Sequence, residues 1–255
     1  MLEIRNLWKS FNADTEFEIP IFRAFDLSIE NKSLTAIIGA NGCGKSTLLN
    51  IISGSIKADE GDILLDGKNI AHLAEEQRAI NIGRVHQNPS MGVAPSLTIL
   101  ENLSLASKKG EPFSLRKLIR GERLDMFVSL LKDLDLGLED KLNTQVKFLS
   151  GGQRQSLSLV MAAMKHPDLM LLDEHTAALD PKTSQVVMEK TRELLDKYHI
   201  TTVMVSHHMG DAIKYSQRVV MLDKGKIILD KPSSSTSEDE LLAIYQSKIF
   251  ERITA

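Results

Sequence analysis

Cysteine is nearly absent from this chain: Cys43 stands alone among 255 residues. No disulfide can form within the chain, which fits a reducing compartment. A surplus of basic charge is also missing. The formal net charge is −3, so no global positive field points to nucleic acid, and none is expected as a partner. No apolar run approaches the roughly 18 residues that would suggest a membrane span. The opening MLEIRNLWKSF lacks the long apolar core of a signal peptide. Any role at a membrane therefore calls for a separate membrane partner. There is no internal repeat and no long low-complexity tract. What is present is 42% hydrophobic and 25% charged residues, an ordinary globular composition with enough apolar material for one large domain, or a domain with a subdomain.

The patterning divides the chain. LEIRNLWKSF and IFRAFDLSIE read as strands bracketing a polar loop, Asn12 to Glu18. SLTAIIGA is a β-rich run ending at a glycine, and KSTLLNIISG has helical spacing with Gly54 as its stop. ADEGDILLDGKNI reads as a hairpin. From about Pro89 to Lys165, LTILENLSLA, RLDMFVSLLKDL and RQSLSLVMAAMK carry apolar residues three and four apart, which predicts a helical subdomain. Strand patterns return in DLMLLDE, ITTVMVSHH and RVVMLDKGKIILD, with a helix over TSQVVMEKTRELLDKY. Strand, helix, strand at this spacing predicts a parallel sheet with crossovers, hence an α/β fold. PSSSTSED is a polar break before a last amphipathic helix, from about Glu240 to Phe250. Arg116, Lys117, Arg120 and Arg123, in SLRKLIRGER, read as a solvated helix face, with a docking patch for a partner or acidic lipid as the alternative.

GANGCGKST, from Gly39 to Thr47, matches G-x-x-x-x-G-K-[ST] and lies between a β run and a helical run. Gly39, Gly42 and Gly44 let the backbone curl so that successive N–H groups, including those of Asn41 and Cys43, can face a phosphate. A helix beginning near Lys45 adds the positive end of its dipole. Lys45 can reach the β- and γ-phosphates, the Ser46 hydroxyl can bind Mg²⁺, and Thr47 completes the motif. Cys43 reads as a small filler residue in this loop, not a nucleophile.

LMLLDEHTAALD, from Leu169 to Asp180, ends an apolar strand in two adjacent carboxylates. Such a pair is unfavourable beside a core unless a cation or hydrogen-bond donors meet it. A phosphate loop supplies the reason: Asp173 would help hold Mg²⁺, and Glu174 would polarise the water attacking the γ-phosphate. LSGGQRQ, from Leu149 to Gln155, opens another helix and makes a second anion-receptive N-terminus. One nucleotide has no need of two such sites from one chain, so a second subunit is implied.

With GANGCGKST, LMLLDE and LSGGQ together, the sequence resembles the ATP-binding cassette (ABC) family along nearly its whole length. The resemblance implies a P-loop ABC-type nucleotide-binding domain over 1–255. Residues 1–88 and 166–232 would form the catalytic core with a β subdomain, 89–165 the helical signature subdomain, and 233–255 a C-terminal helix. It implies ATP and Mg²⁺ as ligands. Phe11 resembles the aromatic that stacks on adenine, with Trp8 as a rival. Gln87, in RVHQNPS, resembles the glutamine that contacts Mg²⁺ and the attacking water. Ser150, Gly151, Gly152 and Gln153 would meet the γ-phosphate of ATP held by the other subunit. Asp180 resembles the loop bridging the two sites, and His207 the switch histidine that reaches the γ-phosphate. Catalysis would rest on Glu174, His207, Lys45 and Gln87. His208, adjacent at a predicted strand end, is expected to face away, which argues against a two-histidine metal site. His175 departs from the family, which usually has proline there.

The resemblance further implies a homodimer closing on two ATP molecules, integral membrane permease subunits, an extracytoplasmic substrate-binding protein, and a place on the cytoplasmic, inner face of the cell membrane. The region VHQNPSMGVAPSLTILENLSLA with DEHTAALDPKT is similar to a bacterial importer branch whose related systems include ones for tryptophan and similar amino acids. A soluble cassette of the iron–sulfur assembly type is the alternative. A P-loop GTPase or kinase is opposed by the missing Asn-Lys-x-Asp motif and by LSGGQ, which has no use there.

Overall fold

Alternating burial along the first thirty residues makes β1 (Leu2–Phe11) and β2 (Ile19–Ile29), joined by the polar loop. They pair antiparallel, with Leu2 opposite Ile29 and Phe11 opposite Ile19. The computed structural model describes residues 1–111 and 123–254, which gather into two compact units, Met1–Ala79 with Thr201–Ala255 and Ile80–Ile200.

In the first unit, β3 (Leu34–Gly39) is buried along almost its entire length, as a parallel strand covered on both faces should be. It lies between β8 (Thr201–Val205) and β9 (Arg218–Asp223), parallel to both, and β10 (Lys226–Pro232) closes that side antiparallel to β9. In a second sheet, β4 (Glu60–Leu65) and β5 (Lys68–Asn69) form the expected hairpin, and the strand order is β2-β1-β4-β5. The helices of this unit are α1 (Lys45–Ser53), the short α2 (Glu75–Arg78), α7 (Met209–Tyr215) and α8 (Glu238–Thr254). The last begins two residues before, and runs past, the span expected from its amphipathic pattern.

Among its described residues the second unit holds two parallel strands, β6 (Ile82–Val85) and β7 (Leu169–Asp173), with α3 (Ile99–Ala106), α4 (Leu124–Lys132), α5 (Gly151–Ala163) and α6 (Pro181–Tyr198). The helical stretch 89–165 lies within this unit, together with β6, β7 and α6. β6 has only four residues, too few to display a period in the sequence. Arg116, Lys117 and Arg120 lie outside the described residues. Arg123 donates to the Ser107 hydroxyl at 2.7 Å and carbonyl at 3.2 Å, and to Glu111 at 3.1 Å, so it tethers the start of α4 to the end of α3 instead of lining a solvated face.

Candidate nucleotide site

β3 stops at Gly39 because the chain must turn where no side chain fits. A Cβ there would lie 2.3 Å from the Leu222 carbonyl oxygen of β9, and φ is +147°. Gly44 caps α1 with φ +109°, and a Cβ would meet the Phe22 ring at 2.9 Å. Gly42 has φ +76°, and a Cβ at that position would meet nothing within 4 Å, so only its backbone angle requires glycine. Lys45 is buried, and its Nζ donates back to the carbonyls of Gly39 at 2.8 Å and Ala40 at 3.1 Å. Its ammonium therefore stands inside the curl of the loop. Cys43 Sγ is 4.0 Å from that nitrogen and is buried, packed as a small residue. Asn41 and Ser46 are exposed and Thr47 is partly so.

One residue that sequence reasoning passes over holds the far end of α1, the helix that this loop opens. Arg78, only 3% exposed, donates to the carbonyls of Ile51 at 2.7 Å and Ile52 at 3.1 Å, and also to Ala71 at 2.8 Å and Leu73 at 3.0 Å. Two of these carbonyls belong to the last turn of α1, where Ile51 also accepts from Gly54 N at 3.2 Å, so Arg78 adds to the closure that Gly54 begins. A cation here also complements the negative end of the helix dipole. Burial pulls the guanidinium pKa down from its ordinary value, and the four carbonyls meet its N–H groups. No local signal marks Arg78, because its partners come from five to twenty-seven residues away.

Phe11, at the end of β1, is half-exposed at 36%, and Trp8 stands at 37%. Burial does not separate the two. Lys9 Nζ lies 5.6 Å from the Phe11 ring centroid. Phe17, in the β1–β2 loop, is far more exposed at 77%, and no motif marks it in the sequence. His207 is exposed beyond the end of β8. Both histidines lie past the strand, and His208 caps α7, so strand alternation does not govern their directions. Among the described residues, no group of three or more His, Cys, Asp or Glu could hold a metal.

In the second unit, Leu169 to Leu172 are fully buried and Asp173 emerges at the strand end. Asp173 pairs with Arg84 of β6, at 3.5 Å. Glu174 takes φ +45°, the left-handed region, and its carbonyl accepts from Ala177 N at 2.9 Å as the chain turns. His175 follows, only 2% exposed, with Nε2 3.2 Å from Thr191 Oγ1 of α6. The Thr191 hydroxyl already donates to the Val187 carbonyl at 2.7 Å, so it accepts from His175, and the imidazole proton sits on Nε2. Burial pushes the His175 pKa down to about 4. Where the family resemblance leads one to expect proline, a neutral imidazole ties this turn to α6. Asp180 caps α6, accepting from Thr183 N at 3.1 Å with Pro181 behind it, and hydrogen bonding from Thr183 holds its carboxyl below the usual range.

Ser150 caps α5 in a reciprocal pair: its Oγ accepts from Gln153 N at 3.2 Å, and Gln153 Oε1 accepts from Ser150 N at 3.3 Å. Gly152 allows close packing, since a Cβ would lie 2.4 Å from the Thr183 methyl of α6. Gln87 is exposed two residues beyond β6. Its segment is tied to α5 by Gln155 Nε2 donating to the His86 carbonyl at 3.0 Å and by Arg154 donating to Ser90 Oγ at 3.1 Å. Gln155 and Arg154 carry no signal in the sequence, because these partners lie 69 and 64 residues away.

Residues 22–177 match the ABC transporter family model. The chain belongs to the ABC transporter family. The Tyrosine transport ATP-binding protein of Clostridioides difficile (strain R20291) is 45% identical over 249 residues, covering 96% of this chain and 99% of that protein. The phosphonates import ATP-binding protein PhnC of Alcaligenes faecalis is 33% identical, covering 100% and 91%. Among solved structures, a dimeric post-hydrolysis state of the ATP-binding cassette MJ0796 bound to ADP and Pi superposes with TM-score 0.77 at 29% identity, covering 91% of this chain and 99% of that one. The ADP conformation of the cassette MJ1267 does so at TM-score 0.78 and 26% identity, over 96% and 94%. The chain is accordingly an ABC ATPase with the α/β fold of the P-loop cassettes. Among the described residues, no helix of this cassette is long and apolar enough to cross a membrane.

Proposed function

We propose that this cassette hydrolyses ATP to power the import of an amino acid, of aromatic type, through a separately encoded permease fed by an extracytoplasmic binding protein. The single observation that supports the transport role most is the 45% identity, end to end, to a tyrosine transport ATP-binding protein. It favours transport over the scaffold role of an iron–sulfur assembly cassette. The cassette would work at the inner face of the membrane.

In this reading the Gly39–Thr47 loop takes the β- and γ-phosphates, and Lys45 exchanges its two carbonyl partners for phosphate oxygens. The Ser46 hydroxyl, the Asp173 carboxylate and the Gln87 amide would be the hard oxygen donors that suit Mg²⁺. Magnesium, when bound, neutralises charge developing on the transferred phosphoryl group. Glu174 takes the proton of the attacking water, Gln87 orients that water, and His207 contacts the γ-phosphate. Phe11 stacks on adenine. Ser150 to Gln153 of a second copy close over the same nucleotide, with Asp180 beside the junction. ATP thus stabilises the closed pair, and loss of the γ-phosphate opens it.

The experiment is Glu174→Gln with ATP, followed by sedimentation. A stable ATP-loaded dimer is the expected result, and a persistent monomer would overturn the two-copy mechanism. Uptake of labelled tyrosine into vesicles carrying a permease that co-purifies with this cassette tests the cargo: uptake that ignores ATP and this cassette refutes the import role.

A further inference from the structure

β6 and β7 run parallel with Arg84 opposite Leu171. Side chains alternate along a strand, so Asp173, two residues past Leu171, shares the face of Arg84. That register carries the Arg84 guanidinium to 3.5 Å from the Asp173 carboxylate, with both side chains only 15% exposed. A half-dry ion pair of this kind is screened by salt far less than a surface pair. The distance is at the long end for a hydrogen bond, so the pairing is chiefly electrostatic.

We propose that Arg84 is a built-in counter-cation for Asp173, which must give way before that carboxylate can serve a divalent metal. The inference rests on the ATPase reading above, in which Asp173 is the magnesium carboxylate. A guanidinium and a dication cannot both lie against one carboxylate without repelling each other. The cassette therefore needs more free Mg²⁺ to load its nucleotide than it would with an uncharged residue at position 84. Between turnovers the same guanidinium returns to Asp173, which spares the strand end an uncompensated charge and favours departure of the metal with the product. Arg84 is a positioning residue in this scheme: it touches the carboxylate, not the reacting atoms.

The test is a titration of Mg²⁺ against a fixed concentration of fluorescent ATP analogue, read as binding and not as turnover, for the unaltered protein and for Arg84→Met. The half-saturating Mg²⁺ concentration should fall at least threefold in the variant. Arg84→Gln, which keeps a polar side chain at that position, should show the same direction and guards against disturbed packing around β6. An unchanged or raised half-saturation point in variants that melt like the unaltered protein overturns the proposal, and a raised one would point to Arg84 contacting phosphate instead. If the unaltered protein binds no nucleotide at any Mg²⁺ concentration, the proposed assignment of the nucleotide site has itself failed, and the proposal with it.

Discussion

Glu174 is held at φ +45°, a conformation that costs a non-glycine residue roughly 1–2 kcal/mol. Strain of this kind gathers where chemistry dictates the residue. Asparagine tolerates the left-handed region better, so Glu174→Asn should leave the thermal midpoint unchanged or raised while ATP hydrolysis falls by about 10²-fold or more. Calorimetry with a phosphate-release assay checks both halves, and a lowered midpoint would show that the turn is not strained. His175, beside it, links pH to stability. Its pKa is depressed by burial to about 4 from an ordinary 6.5, so the folded state favours the neutral ring. Its contribution is complete above pH 6.5 and is lost as pH falls from there toward 4, amounting to roughly 3 kcal/mol. Urea unfolding of the unaltered protein and of His175→Gln from pH 7 to 4 should show this extra loss only in the former. Parallel curves would mean that the imidazole is not kept neutral.

At the scale of elements, α1 is gripped at its two ends by different means. Its N-terminus depends on Gly39 and Gly44 and its C-terminus on Arg78, which meets carbonyls of Ile51 and Ile52. Arg78→Met removes four hydrogen bonds to backbone carbonyls and should lower stability by roughly 3 kcal/mol. It should also weaken nucleotide binding, because the phosphate loop opens the same helix. Denaturation midpoints with nucleotide titration measure both, and unchanged affinity would show that the loop holds its shape without this cap. The contact of α5 with α6 makes a separate prediction. Gly152→Ala places a methyl 2.4 Å from the Thr183 methyl, an overpacking worth roughly 1–3 kcal/mol. Thr183→Ser in the same chain should recover much of that loss in a double-mutant cycle. Additive effects would mean the two helices do not press on each other at this point.

At the scale of the whole molecule, the glycine loop, the capped start of α5 and the carboxylate pair each lie in short contiguous stretches of chain, and they are legible for that reason. The strands and helices with a clear period are legible too. β6, α2 and α7 are not, being four, four and seven residues long, too short to repeat a pattern. The histidines after β8 read as strand residues in the sequence, because nothing local says that pairing ends at Val205. If the two-copy mechanism holds, the specific ATPase rate should rise with protein concentration and saturate as dimers form. A rate independent of dilution down to concentrations where sedimentation shows only monomer would refute it.

The amino-acid order by itself determined the phosphate loop, the carboxylate pair and the signature helix start, since backbone curl, helix capping and catalytic spacing are set by neighbours within a few residues. Only the tertiary structure decided that Arg78 closes α1, that Arg84 faces Asp173, and that His175 is buried, neutral and bonded to Thr191. Burial and partnership of a charged or titratable side chain depend on segments distant along the chain, and folding is what brings those segments together.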